Sequence, residues 1–485
     1  MKRLLFLALP LILAANDTQL QERIDQLETK IKALEEKNNQ HTEQFIEIEP
    51  ILEKAEKHSI LDRLELSPEL LLRVDKVDYT LGKIAGEDTR IYGNPDYQPE
   101  GTYQRRDEFS KHFDPAGYLR FRLNLKAQLD DKVSFYGRMV FAASSQSYQR
   151  VCILSRDIKS VSANSAFDID RAYFDYSDNK NASDAFTFSF GLLPTTGGTP
   201  MQFSRNTQRK SVFPALVFNM NTYGVIATQK FSNDTFLRAI VAKAYTMRGE
   251  FYPYQCNREN IDNADVLGVY ADTKFNFYGD ALLSGGFNYL HNLKAHPFLG
   301  PDVTAENAQV LGNMMTLGLG LDIEEVNGKD LKLFAHTAMS IPDGNGKVDD
   351  YQIDDPSSGQ TVNGGMGFST ASYAKGKMVG SEGYAFFTGT KYGLNEKFDI
   401  GLEYNYGSKY WFSATQGSED LYNKLATRGH VGETYLIWKF HRNLFTKVGY
   451  MVSKEEYTGS GWHFGEPVSK DGTQQIGYLT INAKY

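Results

Sequence analysis

Between Tyr118 and Leu129 apolar and polar residues take turns. Leu119, Phe121, Leu123, Leu125, Ala127 and Leu129 hold every second place, and Arg120, Arg122, Asn124, Lys126 and Gln128 hold the others. Successive side chains of a strand point to opposite faces, so the segment predicts one oily face and one charged face, whereas a helix would scatter both classes around its axis. The alternation recurs along most of the chain. About sixteen such segments can be read, from 66–80 to 474–485. Their connections alternate between short ones, such as Asp130–Lys132 and Leu394–Glu396, and long ones, such as 81–116, 192–222 and 341–382. An even count with that parity predicts an all-β protein: a transmembrane antiparallel β-barrel of about 16 strands, with lipid outside, water inside and both ends on the periplasmic side.

The last segment sharpens this expectation. Gly477, Leu479, Ile481, Ala483 and Tyr485 share a face, and the sequence stops on an aromatic. This resembles the C-terminal signal that outer-membrane barrels present to their assembly machinery, and a terminal aromatic suits the interfacial girdle. Trp438 with Phe440, and Phe174 with Tyr176, fall at the same level, while Tyr404, Tyr406 and Trp411 are expected in the opposite girdle. Tyr435, Ile437, Ile476 and Tyr478 are apolar residues that this register turns inward. A soluble antiparallel sandwich also alternates, but explains neither the loop parity nor the chain's two ends.

Three regions follow. In residues 1–15, Lys2 and Arg3 precede the apolar run Leu4–Leu13 and Ala14-Ala15, the layout of a cleaved signal peptide. Residues 16–64 carry Leu20, Ile24, Leu27, Ile31 and Leu34 at 4-3-4-3 spacing, continued less well by Asn38, His41, Phe45 and Ile48. This predicts a periplasmic coiled coil, or a solitary amphipathic helix. Residues 65–485 would form the barrel.

Composition and chemistry change the picture little. A net charge of −8 gives no reason to expect nucleic acid. Cys152 and Cys256 fall in the second and fourth outside loops, where an oxidising compartment permits a disulfide. Pro342–Asp350 reads PDGNGKVDD, a poor match to a Ca²⁺ loop because Lys347 takes a ligand place, and an ordinary turn is expected. The nine histidines are dispersed, with no metal spacing and no nucleophile elbow, so neither an enzyme, a metal nor a cofactor is expected.

Function must then reside in what narrows the lumen. The third outside loop, 192–222, holds Arg205, Arg209 and Lys210 and no Asp or Glu. In general porins the third loop folds inward, and by that analogy these three cations would stand at the constriction. The inward faces are asymmetric. Arg120, Arg122, Lys126, Arg138 and Arg171 would form a basic wall on early strands, opposed by an acidic wall of Asp322, Glu324, Asp399 and Glu403 on later ones. Such walls would set a transverse field across the lumen, and the basic loop suggests a mild anion preference.

LELSPELLLRVD at Leu64–Asp75, GLLPTTGGTP at Gly191–Pro200 and VFPALVFNMNTYGVIATQKF at Val212–Phe231 resemble a porin-like outer-membrane family of Gram-negative bacteria, known mainly by a domain-of-unknown-function label. The resemblance implies a barrel in the outer membrane with its N-terminal segment in the periplasm. It supplies no substrate and no site residue. The expected partners are outer-membrane lipids, small hydrophilic solutes or ions, two further copies of the chain in a trimer, and a periplasmic or peptidoglycan contact through the coiled coil. The alternatives are a surface receptor or adhesin anchored by its barrel, and a substrate-specific channel.

Overall fold

The computed structural model describes residues 23, 25–34, 36–37, 63–81, 109–144, 165–179, 182–247, 261–294, 310–347, 352–354, 361–363, 375–415, 420–457, 465–467 and 469–484. The chain divides into two units, Met1–Leu64 and Glu65–Tyr485. In the first, residues 25–34 are helical, and Leu27, Ile31 and Leu34 lie exposed along it. The signal-peptide reading, the rest of the heptad pattern and both cysteines lie outside the described residues.

The second unit opens with β1 (Leu64–Leu81), β2 (Phe109–Gln128), β3 (Val133–Ser144), β4 (Ser165–Ser177), β5 (Phe186–Leu193), β6 (Thr222–Lys230) and β7 (Thr235–Met247). It continues with β8 (Ile261–Asn276), β9 (Asp280–Lys294), β10 (Val310–Glu324), β11 (Leu331–Gly344), β12 (Gln352–Asp354), β13 (Thr361–Asn363) and β14 (Lys375–Met378). The last are β15 (Gly383–Gly393), β16 (Phe398–Gly407), β17 (Gly429–His441), β18 (Leu444–Tyr457), β19 (Gly465–Glu466) and β20 (Ser469–Lys484). Sixteen of them, β1–β11, β15–β18 and β20, close a barrel in chain order. The other four pair within outside loops, β12 with β13 and β14 with β19. Closure runs antiparallel between β1 and β20, with Glu69 opposite Lys484.

The alternation read from sequence is the alternation of the wall. Phe121, Leu267, Val269, Ile400, Leu402, Leu479 and Ile481 are exposed on the outer face, while their neighbours Arg122, Tyr270, Glu403, Tyr478 and Thr480 are buried inside. Closure pairs every strand edge, which is what lets a sheet cross a bilayer. Trp438 and Phe440 stand outward with ring centroids 5.2 Å apart, and Trp438 stacks on Phe398 at 6.3 Å. Phe174 lies 4.9 Å from Phe135 and 5.4 Å from Phe190, extending that aromatic level over β3–β5. Inside, large rings lie against neighbouring strands where glycine leaves room. A Cβ at Gly286 would run into Tyr270, and one at Gly449 into Tyr478.

Two expectations need correction. Trp411 is not a girdle residue: it is buried inside the barrel, and its indole N–H donates to Leu425 O at 2.9 Å. Strict alternation also fails on β4. A bulge shifts the β3–β4 register between Arg138 and Met139, so Asp170 turns inward together with its neighbour Arg171.

Candidate functional site: the barrel lumen

The third loop lies inside the barrel. It carries the five-residue helix Met201–Arg205, closed by Asn206 in the left-handed conformation. Its apolar residues make it a packing element rather than a solvated loop. Phe213 is fully buried and meets Tyr270 of β8 edge-on, with centroids 4.5 Å apart. Phe203 stacks on Phe334 of β11 at 5.7 Å. Leu216, Val217, Phe218 and Met220 complete a core with inward residues of β6–β11, β15 and the β16–β17 loop.

Polar contacts fix the loop around the ring. Lys210 Nζ reaches Glu69 of β1 at 2.6 Å, and the adjacent Arg209 reaches Asp272 of β8 at 3.1 Å. Consecutive residues thus hold walls seven strands apart in a ring of sixteen, close to a diameter. Arg171 of β4 donates to Thr196 O at 2.7 Å and to Lys210 O at 3.2 Å. Lys391 of β15 donates to Asn206 Oδ1 at 2.7 Å, and Lys484 of β20 to Arg205 O at 3.1 Å. Thr199 donates to Asp322 of β10, whose other oxygen stands 2.9 Å from His336 Nε2.

A second loop folds in beside it. The β16–β17 connection buries Trp411, Phe412, Ala414, Leu425 and Ala426. It joins the third loop where Asn219 N–H donates to Ala414 O at 2.9 Å and Asn219 bridges to Thr415. Its Lys424 Nζ sits between Glu403 of β16 and Glu433 of β17. Burial alone would pull the Lys424 ammonium's pKa down; Glu403, Glu433 and Asp420 more than reverse this and hold it above the ordinary lysine value. The one available cue was Asn423-Lys424 amid apolar Leu421, Leu425 and Ala426, a composition unlike a solvated loop.

The candidate residues fall into place as follows. Arg138 forks onto Asp170 through two bonds of 2.6 Å, and Arg122 stands 3.7 Å from the same carboxylate. Lys126 pairs with Glu65 at 3.0 Å near the rim. Arg120 faces the lumen beside them. On the acidic side Asp399 is held by Lys391 at 3.0 Å and Lys439 at 2.7 Å, while Glu403 is held by Lys424. Asp399 and Glu403 are thus neutralised locally. Arg209 and Lys210 are ion-paired anchors.

Two spaces remain around the tip of the third loop. One, with a cavity volume of about 110 Å³, lies towards β1–β2 and β17–β20, and eight Arg and Lys side chains line it against three carboxylates. The other, of about 850 Å³, lies towards β8–β11 and β15, with four cations and four carboxylates, Glu324 among them. Among the described residues no group of three or more His, Cys, Asp or Glu side chains is arranged to hold a metal ion.

Comparison with known proteins gives the following. The chain resembles OprB of Pseudomonas putida at 10% identity, covering 88% of this chain and 96% of that one, with a TM-score of 0.48. It resembles OmpF of Salmonella typhi, in complex with daunomycin, at 11% identity, covering 86% and 97%, with a TM-score of 0.42. OmpT, an outer membrane protein of Vibrio cholerae, matches at 10% identity over 87% and 97%, with a TM-score of 0.42. No curated protein matches the sequence. A family model described as "Protein of unknown function (DUF3373)" matches residues 115–483, nearly the whole barrel, and the chain belongs to that family.

Proposed function

We propose that the protein is a porin of the bacterial outer membrane, passing small hydrophilic solutes or ions down their gradients beside an infolded third loop, with a mild anion preference. The observation that carries this reading is the cation-lined space left next to that loop inside a closed barrel. Low-dielectric walls focus the field of such a lining and raise the local anion concentration. Reversal potentials in planar bilayers under a KCl gradient test it. The wild type should favour chloride, and replacing Arg205, Arg209 and Lys210 by Gln should reduce that preference. A clear cation preference, or no change in the triple variant, refutes it.

The remaining parts of the proposal are a trimer in the membrane, a cleaved signal over residues 1–15, a periplasmic helical segment over 16–64 that contacts its own copies or peptidoglycan, and a Cys152–Cys256 bridge. Leu27, Ile31 and Leu34, exposed along one helix, support self-association. Crosslinking of whole cells addresses the oligomer, and a thiol assay with and without reductant addresses the bridge. A second reading has its own support. The third loop packs an apolar core inside β6–β11 and β15, as suits a surface receptor or adhesin anchored by its barrel. Swelling of protein-loaded liposomes in small sugars separates the two, since a sealed barrel gives none.

A further inference from the structure

The geometry points to a binding site for a short peptide with both ends free, two or three residues long, in the space between the third-loop tip and the short-turn ends of β8–β11. It rests on the channel reading only for its route through the barrel, and it deepens that reading by naming a solute class.

The first observation is a pair of buried polar atoms of opposite kind. Gln202 of the loop helix is 8% exposed and lines this space. Its Nε2 donates to Thr199 Oγ1 at 3.3 Å, and its Oε1 accepts no bond among the described residues. Arg209, beyond the end of that helix, lines the same space. Its Nη2 donates to Asp272 at 3.1 Å, while its Nη1 has no partner among the described residues. Buried polar groups are nearly always satisfied, so a lone acceptor and a lone donor beside one space call for a ligand that offers both. A peptide unit is such a group, with one N–H and one C=O.

The second observation is the arrangement of charge. Four cations and four carboxylates line the space. Arg209, Lys332 and Lys391 are held by Asp272, Asp330 and Asp399 at 3.1, 2.8 and 3.0 Å. Lys274 of β8 is in no ion pair among the described residues. Asp280 of β9 and Glu324 of β10 stand directly opposite each other in the register, and among the described residues neither is ion-paired. Like charges placed opposite each other destabilise a sheet, and a bound ammonium would offset that cost. With the groups behind the lining included, six cations face seven carboxylates. A space so nearly balanced favours a ligand of little net charge whose own charges are set apart.

The third observation is spacing. β9 lies between β8 and β10, so Lys274 and Glu324 are roughly 10 Å apart across the sheet. Three residues of extended chain reach about 10 Å. The α-amino group of the peptide goes to Asp280 and Glu324. Its α-carboxylate goes to Lys274 and to Arg209, which is tied to the same strand through Asp272. The charged groups of a free amino acid are too close together to meet both poles. The cavity volume of about 850 Å³ lies within the roughly 300–1,000 Å³ of sites for small ligands.

Saturation-transfer NMR of the full chain in a non-ionic detergent, with trialanine as the probe, tests the site. The wild type should give saturable transfer. K274Q and E324Q, which break no ion pair among the described residues, should each bind about tenfold more weakly, while K274R should bind like the wild type. Trialanine blocked at both ends, and free alanine, should each bind the wild type about tenfold more weakly than trialanine does. Absence of saturable transfer to the wild type, or undiminished binding by K274Q or E324Q, overturns the site. Undiminished binding of the blocked peptide or of alanine overturns the peptide assignment. If either variant does not fold, D280N takes its place with the same expectation of weaker binding. Bilayer recordings keep the two readings apart. A protein that conducts but binds no trialanine loses the site and keeps the channel; one that binds trialanine without conducting keeps the site and loses the channel.

Discussion

The two halves of this barrel's interior follow the same alternation and end in opposite states. Inside β6–β11 and β15, the inward positions include Ile226, Ile240, Val266, Tyr270, Leu290, Met314 and Phe334, and the third loop packs on them as a core. Inside β1–β4 and β17–β20 they include Arg73, Arg122, Arg138, Glu433 and Lys447, and a charged space opens among them, whereas the larger space beside β8–β11 and β15 lies past the packed core, at the short-turn ends of those strands. In a membrane barrel the outer face must be apolar, but the inner face answers only to what it meets. One half meets Phe213 and Phe218, the other meets Arg205 and Lys210.

The largest test of this contrast is to remove the loop that packs one half. Replacing residues 196–220 by a short Gly-Ser connection should leave a folded barrel, because β5 and β6 remain adjacent, and should raise single-channel conductance several-fold. Unchanged conductance would mean that the packed half never obstructed flow.

Two matched substitutions come next, one on each side. Phe213→Ala removes a fully buried ring from the packed core and should cost about 3–5 kcal/mol of loop docking, seen as faster hydrogen exchange of third-loop amides. Lys424→Met leaves Glu403 and Glu433 buried with their shared cation gone, at a cost of about 3–5 kcal/mol. It should release the β16–β17 loop, read as protease cleavage within 408–428. Equal effects of both on both loops would merge the two halves into one unit.

Arg209→Gln is milder. Asp272 keeps its bond from Arg238, so about 1–2 kcal/mol of loop anchoring should be lost, visible as added noise in the open-channel current. The smallest expected effect is that of alkaline pH on the β16–β17 loop. The pKa of Lys424 is raised in the folded protein, so its contribution is complete below the unfolded value of 10.5 and is lost only as pH rises through the higher folded one. Loop protection should therefore stay level from neutral pH up to that value, and an earlier loss would show that another group governs docking.

Much of the wall was legible because lipid enforces a period of two. Leu119 through Leu129 announced β2, and loop parity announced the closed ring. The lumen was less legible because nothing enforces a period there. Asp170 was hidden by a one-residue bulge, which counting by twos cannot detect. Trp411 mimicked a girdle residue because aromatic character does not say whether its surroundings are lipid, headgroup or protein. Arg209 and Lys210 were visible as cations, but Asp272 and Glu69 lie 63 and 141 residues away, and local spacing does not reveal such partners.

One contact pattern bears on how the molecule is built. Lys210 grips Glu69 on the first strand, and Lys484 on the last strand grips the carbonyl of Arg205, while Glu69 and Lys484 face each other across the seam. The loop tip therefore spans the join between the first and last strands of the wall. A slip of one residue along that join would turn one of the two outward and leave the tip with a missing handhold. Filling the barrel and sealing it are in this sense a single act, and a wrongly sealed chain would carry an undocked loop by which a folding machine or a protease could tell it apart.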